Sequence, residues 1–159
     1  MDNCGFGDLD GLRLAAEMEK RGGDFYRLAA RVSKKEETRA MLNALAADEA
    51  VHLREFQKLY ERELSKKQYV VYAPEKSAYL SAMAAEIAFP GGVVSLSGQL
   101  ESPRSILESS IRSEQESIRF YSGVAEATPC EETARVFRDI IRQETGHLHR
   151  LEKMLSELK

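Results

Sequence analysis

The feature that most constrains this chain is a repeat, in which five side chains recur 95 positions later with every internal spacing unchanged. The first copy comprises Glu19, Phe25, Tyr26, Glu49 and His52, and the second comprises Glu114, Phe120, Tyr121, Glu144 and His147. Two copies are too few to stack as a solenoid. The repeat therefore predicts two similar units that face each other across a pseudo-twofold axis.

Four long segments carry apolar residues at helical spacing, and short connections pair them into two hairpins. The predicted helices span residues of about 9–32, 36–64, 103–127 and 130–158. Their predicted start signals are Asp8, Ser33 with Glu36, Ser102 with Pro103, and Thr128 with Glu131. These residues are typical N-caps, capping boxes and a proline at the first helical position.

The second and third helices are joined by a long connection over about residues 65–102. It contains a predicted short helix of about 75–88, which ends before Pro90 and two glycines. A single long crossover between two helical hairpins is the connectivity of ferritin-like bundles. We therefore predict an all-α fold, a ferritin-like four-helix bundle in a single domain over residues 1–159.

Composition excludes several classes of function. The 23 Lys and Arg residues are interspersed among 26 Asp and Glu, giving a formal net charge of −3. Nucleic acids and anionic membranes require a clustered positive excess, so we expect neither as a partner. No stretch reaches the roughly 18 apolar residues of a membrane span. The two cysteines, Cys4 and Cys130, form no disulfide framework or Cys-x-x-Cys metal motif, and we expect a reducing, cytoplasmic location.

The repeated acids and histidines have the spacing of a metal site. Residues three apart on a helix lie on the same side, so Glu49 with His52, and Glu144 with His147, can reach a common ion. A single Glu-x-x-His is a weak signal, because it is more often a surface pair. Hairpin geometry strengthens it: each repeated glutamate lies about 15 residues, roughly 22 Å, from the turn of its hairpin. Four glutamates and two histidines are therefore predicted to lie in one layer of the bundle.

Charge balance favours two metal ions in that layer. Four carboxylates and two neutral imidazoles offset two divalent cations, whereas burying the carboxylates without counter-charge is very costly. The metal-free alternative requires these groups to face solvent, which conflicts with apolar neighbours such as Leu45, Phe56 and Ile140. Carboxylate and imidazole without thiolate suit iron or manganese. We expect two iron ions, with manganese as the alternative.

Tyr26 and Tyr121 each follow a repeated glutamate by seven residues, which is about two helical turns. Their hydroxyls can hydrogen-bond metal ligands or pass electrons, and the alternative is a pair of ordinary core tyrosines. Both interpretations stay open from sequence alone. His149 points away from the His147 side of its helix and is predicted to meet solvent.

These residues resemble the rubrerythrin-like branch of the ferritin-like superfamily over nearly the whole chain. The match comprises the motif E-x5-F-Y, at Glu19 and Glu114, and the motif E-x-x-H, at Glu49 and Glu144. The resemblance implies a di-iron centre in which Glu49 and Glu144 bridge, Glu19 and Glu114 are terminal, and His52 and His147 each bind one iron. Members of this family reduce peroxide or oxygen, or oxidise ferrous ions.

The chain departs from that family pattern at two places. Rubrerythrins place an additional glutamate three residues after the ligand of the third helix, where this chain has Ser117. Glu116 is one position off and about 100° round the helix, so it is a poor substitute. The rubredoxin-like module with two Cys-x-x-Cys pairs is also missing from this sequence, so the resemblance implies a separate electron donor protein.

Three functions follow as hypotheses. The first is a di-iron oxidoreductase that reduces peroxide or O2, and the second is an iron-handling protein, either a ferroxidase or a store. The third is a non-catalytic helical scaffold. Storage needs a closed cage of many subunits, whereas the apolar face of the crossover is better suited to covering the bundle or forming a homodimer.

Overall fold

The computed structural model describes residues 6–66, 98–128 and 130–158, with side chains from residue 9 onward. These residues form four helices: α1 (Phe6–Val32), α2 (Glu36–Ser65), α3 (Pro103–Ala127) and α4 (Glu131–Glu157). The described ranges contain no strand, which confirms the all-α class. The predicted crossover helix lies outside the described residues, and the single domain stays a prediction.

The helices pair as the hairpin argument predicts. α1 packs along α2, and α3 packs along α4. The two hairpins then meet through smaller contacts between α1 and α3 and between α2 and α4. This arrangement confirms the four-helix bundle, and it places the repeated residues of both hairpins on facing helices.

The helix ends differ from the predictions at three of four places. α1 already begins at Phe6, so Asp8 lies inside the helix and is not its N-cap. The Ser33 hydroxyl donates to the carbonyl oxygen of Ala29 at 2.7 Å, and Lys35 is the N-cap of α2 without a side-chain hydrogen bond. The predicted capping box at Ser33 is therefore wrong, because its hydroxyl serves the preceding helix.

At the second hairpin, one of the two predicted helix starts is confirmed and the other is wrong. Ser102 is the N-cap of α3 and accepts a hydrogen bond from the Ser105 amide at 3.0 Å, as predicted. Thr128 is instead the C-terminal cap of α3, and its hydroxyl oxygen accepts from the amide of Cys130 at 3.1 Å. Cys130 is the N-cap of α4.

Cys130 is also disulfide-bonded. Cys4 lies outside the described residues. The cytoplasmic location stays a prediction.

Two apolar clusters fill the bundle, and the repeated polar residues lie between them on every helix. The alanine-rich cluster comprises Phe25, Tyr26, Ala29, Ala30, Leu42, Leu45, Ala46, Ile106, Leu107 and Leu151. The aromatic cluster comprises Leu12, Ala15, Met18, Phe56, Leu59, Tyr121, Ala125, Phe137 and Ile140. The ring centroids of Phe56 and Phe137 are 4.8 Å apart. The polar layer is therefore closed above and below by hydrocarbon.

No helix in the described part of the chain is both long enough and apolar enough to cross a membrane.

Candidate metal centre

The six repeated acids and histidines converge in the middle of the bundle, and none is more than 6% exposed. Their ligand atoms form two groups, in each of which all four atoms lie within 4.8 Å of one another. One group is Glu19, Glu49, His52 and Glu144, and the other is Glu49, Glu114, Glu144 and His147. Glu49 and Glu144 belong to both groups, which is the arrangement that two bridging carboxylates would have.

Glu144 lies at the centre of this layer, between the two imidazoles. Its Oε1 is 2.9 Å from Nδ1 of His52, and its Oε2 is 2.8 Å from Nδ1 of His147. The imidazole rings are stacked, with centroids 5.9 Å apart and planes inclined by 24°. Both histidines therefore direct Nδ1 toward the carboxylates.

The terminal carboxylates lie farther from the imidazoles. Nδ1 of His52 is 3.4 Å from Oε2 of Glu19, and Nδ1 of His147 is 3.7 Å from Oε1 of Glu114. Glu49 is also 3.7 Å from Nδ1 of His147. These separations leave the carboxylate oxygens around each Nδ1 rather than bonded to it.

The outer nitrogen of each imidazole has a partner on the opposite hairpin. Nε2 of His52 lies 3.1 Å from Oε1 of Gln143, and Nε2 of His147 lies 3.0 Å from Oδ2 of Asp48. In the tautomer with the proton on Nε2, each histidine donates to this acceptor and turns its Nδ1 lone pair to the centre. Metal-binding histidines are held in this way.

Sequence reasoning did not single out Asp48 or Gln143. A signal was present, because the two are themselves 95 positions apart and each directly precedes a repeated glutamate. They differ in residue type, so a search for identical repeats passes over them.

The two tyrosines hydrogen-bond the terminal carboxylates across the hairpins. Tyr26 of α1 donates to Oε1 of Glu114 on α3, and Tyr121 of α3 donates to Oε1 of Glu19 on α1 at 2.5 Å. Burial and the neighbouring carboxylates raise the pKa of both hydroxyls well above the usual value. Both tyrosines are therefore neutral donors that hold the carboxylates in place, and electron transfer through them stays a prediction.

The four carboxyl groups do not share one electrostatic environment. Burial raises the pKa of Glu19 and of Glu49 well above the usual value, and burial together with the nearby Glu144 raises the pKa of Glu114 to about 7. Burial opposes ionisation of Glu144 too, but the short contacts with His147 and His52 lower its pKa to about 2. Glu144 is thus the most acidic group of the layer.

The imidazoles respond in the opposite direction. Burial lowers the pKa of both imidazoles. For His52 the nearby Glu144 carboxylate outweighs burial and raises the pKa of the imidazole to about 9. Glu114 and Glu144 raise the pKa of His147 to about 10 in the same way. Without metal, the protons on the two imidazoles therefore offset part of the charge that two cations would balance, and metal binding would release them.

Several buried atoms at the centre make no hydrogen bond. They are Oε2 of Glu19, both carboxylate oxygens of Glu144, and Nδ1 of His52 and His147. The contacts of these atoms are short in distance without the directions of hydrogen bonds. Buried polar atoms of this kind are costly unless an ion completes them, so the donor set fits a metal centre.

The position three residues after each terminal glutamate carries no acid in either hairpin. It is Ser117 on α3 and Gly22 on α1, where an added Cβ would lie 3.4 Å from Oε2 of Glu49. Glu116 is turned outward and lies 3.6 Å from the guanidinium of Arg119. His149 is exposed, as predicted. The layer therefore contains four carboxylates, without the additional glutamate of rubrerythrins proper.

The Rubrerythrin family model matches residues 105–159 of this chain. The matched part includes Glu114, Glu144 and His147, and the first hairpin repeats the same motifs at the same spacing. Over these residues the chain is similar to rubrerythrins. No curated protein matches its sequence significantly.

One solved structure is similar to this chain over nearly its whole length. It is the crystal structure of a DUF305 fragment from Deinococcus radiodurans, which aligns with a TM-score of 0.59. The alignment covers 94% of this chain and 97% of that chain at 17% sequence identity. Identity this low supports the helical fold alone and indicates nothing about the site.

Proposed function

We propose that this rubrerythrin-like protein is a di-iron oxidoreductase that reduces peroxide or O2. The observation that carries the proposal is the pair of overlapping buried ligand groups that share Glu49 and Glu144. A structural cluster of acids has no need for two such groups at matching height, with unbonded atoms directed at a common centre.

The residues divide naturally between two ions. Glu19 and His52 would hold one iron, Glu114 and His147 the other, and Glu49 and Glu144 would bridge. Four negative charges then balance two divalent cations, and the oxygen and nitrogen donors suit iron, with manganese as the alternative. When bound, the ions supply the electrons and the Lewis acidity for reduction of peroxide or O2.

The chain itself contributes orientation and exclusion of water. Tyr26 and Tyr121 hold the terminal carboxylates, while Asp48 and Gln143 hold the imidazoles. The two apolar clusters close the layer along the bundle axis. A rigid, dry set of ligands of this kind favours a reactive centre over one exposed to bulk water.

Turnover requires a supply of electrons. The sequence has two cysteines and no Cys-x-x-Cys pair that could form a rubredoxin-like module. We therefore propose a separate electron donor protein. Because Ser117 replaces the additional glutamate, the reaction would proceed without a fifth carboxylate.

The second candidate is iron handling, because the same six groups would also bind and oxidise ferrous ions. Oligomeric state separates the two functions. We propose a homodimer, whereas storage requires a shell of many subunits; size-exclusion chromatography with light scattering distinguishes these masses.

Iron loading tests the proposal directly. The metal-free protein would be loaded anaerobically with ferrous ion, and then mixed with peroxide or, separately, with air while optical spectra are recorded. We expect two irons per chain and a spectral change with an oxidant. Glu144→Ala and Glu49→Ala should lose bound iron with helical circular dichroism retained.

A matched control comes from Glu63, a buried glutamate of α2 that pairs with Lys66 at 2.8 Å and lies away from the layer. Glu63→Ala should keep both irons. Unchanged iron content in Glu144→Ala would contradict the proposed site. A wild-type chain that is folded but binds no iron would instead support the scaffold hypothesis.

A further inference from the structure

We propose that the two metal positions are unequal, and that Asp48 and Gln143 set the difference as positioning residues of His147 and His52. The position served by His147 would bind a divalent ion first. This inference rests on the proposed function, because it concerns the same two ions.

The repeat makes the comparison well controlled. Each ligand group contains three glutamates and one histidine, and each terminal glutamate accepts a hydrogen bond from a tyrosine. Each imidazole also meets an acceptor from the opposite hairpin at nearly the same distance, 3.1 Å for His52 and 3.0 Å for His147. The residue types match in these respects and differ in the acceptor, which is an amide for His52 and a carboxylate for His147.

A carboxylate acceptor changes the imidazole more than an amide does. Hydrogen bonds to an ionised acceptor are roughly twice as strong as neutral ones. The Asp48 carboxylate therefore draws the Nε2 proton and makes Nδ1 of His147 a stronger donor toward an ion. It also adds a negative charge behind that position, whereas Gln143 adds none.

The neighbours of Asp48 and Gln143 limit the size of the effect. The guanidinium of Arg150 lies 3.8 Å from Oδ2 of Asp48, and the Asp48 side chain is 45% exposed. Both features reduce the electrostatic effect of the Asp48 carboxylate on His147. The Gln143 amide nitrogen is directed at the carbonyl oxygen of Asp139 at 3.4 Å, which keeps Oε1 facing His52. Outer partners of metal-binding histidines typically change affinity 10- to 100-fold, and these offsets place the expected difference near the lower end, about tenfold.

The test is a zinc titration followed on the histidine side chains. Zn²⁺ is diamagnetic and binds carboxylate and imidazole groups. The metal-free protein would be labelled with ¹⁵N-histidine and its imidazole signals recorded as zinc is added. The chain has three histidines, so assignment needs two variants, and exposed His149 is an internal control.

In the wild type, the His147 signals should reach their end point by about the first equivalent of zinc and the His52 signals by about the second. Asp48→Asn, which keeps the shape and removes the charge, should abolish this order. Gln143→Glu alone should bring His52 to the same equivalent as His147. The double variant, Asp48→Asn with Gln143→Glu, should reverse the order.

Simultaneous shifts in the wild type, His52 shifting first, or an unchanged order in folded Asp48→Asn would each overturn the inference while leaving the metal site intact. If Asp48→Asn does not fold, Gln143→Glu decides, and an unchanged order there overturns the inference too. If zinc moves neither His52 nor His147, both this inference and the proposed function fail.

Discussion

Glu49 and Glu144 occupy equivalent places in the repeat, but their surroundings differ. Glu144 is 1% exposed, lies within 2.9 Å of both imidazoles and has a pKa lowered to about 2. Glu49 is 6% exposed and lies 3.7 Å from His147, and burial raises its pKa well above the usual value. Gly22 and Gly23 leave the α1 side of Glu49 without a side chain.

The comparison shows that one motif at one spacing yields two different bridging groups. In the metal-free layer Glu144 is the anion that holds two imidazolium groups, and Glu49 is an acid that is costly to ionise. The residue type determines which side chains can bind a metal ion. The pKa of each side chain, and so its charge, depends on which neighbouring groups it contacts.

The largest expected effect comes from replacing each bridging carboxyl group with an amide of the same shape. In metal-free protein, Glu144→Gln leaves two buried imidazolium groups without their anion and should cost roughly 3 kcal/mol or more. Glu49→Gln should change stability by less than about 1 kcal/mol, because it removes a group that resists ionisation. Urea unfolding with a chelator present measures both values. Equal losses in the two variants would show that the metal-free asymmetry is absent.

The next effect is on the pH dependence of stability without metal. The pKa values of His52 and His147 are raised from 6.5 to about 9 and about 10, so their stabilisation is complete below 6.5 and is lost as the pH rises through those values. Glu114, raised from 4.5 to about 7, contributes with the same sign. Glu144, lowered from 4.5 to about 2, contributes above 4.5 and is lost as the pH falls through 2.

The free energy of unfolding should therefore fall between about pH 6 and pH 10. Glu144→Gln should flatten this slope, since Glu144 is a main cause of both raised histidine pKa values, while Glu49→Gln should largely keep it. Urea unfolding at several pH values, with a chelator, measures the slopes. A wild-type stability that increases with pH over this range would contradict the expectation.

The smallest effect tests the open side of Glu49. Gly22→Ala and Gly146→Ala both replace a helical glycine and should each stabilise metal-free protein by about 0.4–1 kcal/mol. A Cβ at Gly146 meets nothing within 4 Å, whereas one at Gly22 lies 3.4 Å from Oε2 of Glu49. Only Gly22→Ala should weaken metal binding, by a few-fold, as calorimetric titration would measure. Equal metal affinities in the two variants would show that Glu49 does not use this space.

The four-helix bundle and the convergence of the six residues could be predicted from the sequence. The repeated residues lie at equal distances along the chain from the turns of their hairpins, so an antiparallel hairpin places them at one height of the bundle. Asp48 and Gln143 were not predicted as partners of the histidines, because a polar residue on a helix normally indicates a solvent-exposed face. Their contacts depend on which helix of the other hairpin lies opposite, and no local pattern encodes that choice. The hydrogen-bond partners of Tyr26 and Tyr121 could not be predicted from the sequence for the same reason.

The predictions of the helix caps were wrong for a different reason. A short hydroxyl side chain between two helices can serve the end of one or the start of the next. Ser33 bonds back to Ala29, and Thr128 closes α3, so the motif S/T-x-x-E was present without its usual geometry. Ser102 is followed directly by Pro103, which favours the start of a helix, and there the prediction was confirmed.

Four hydrogen bonds of the central layer run from one hairpin to the other, those of Tyr26, Tyr121, His52 and His147. Each hairpin supplies one tyrosine, one imidazole, one outer acceptor and two carboxylates. Either hairpin, if it paired with a second copy of itself, would therefore supply two tyrosines, two imidazoles, two outer acceptors and four carboxylates. The two copies would then be related by an exact twofold axis. One hairpin, about half of this chain, therefore carries every type of group that the centre contains.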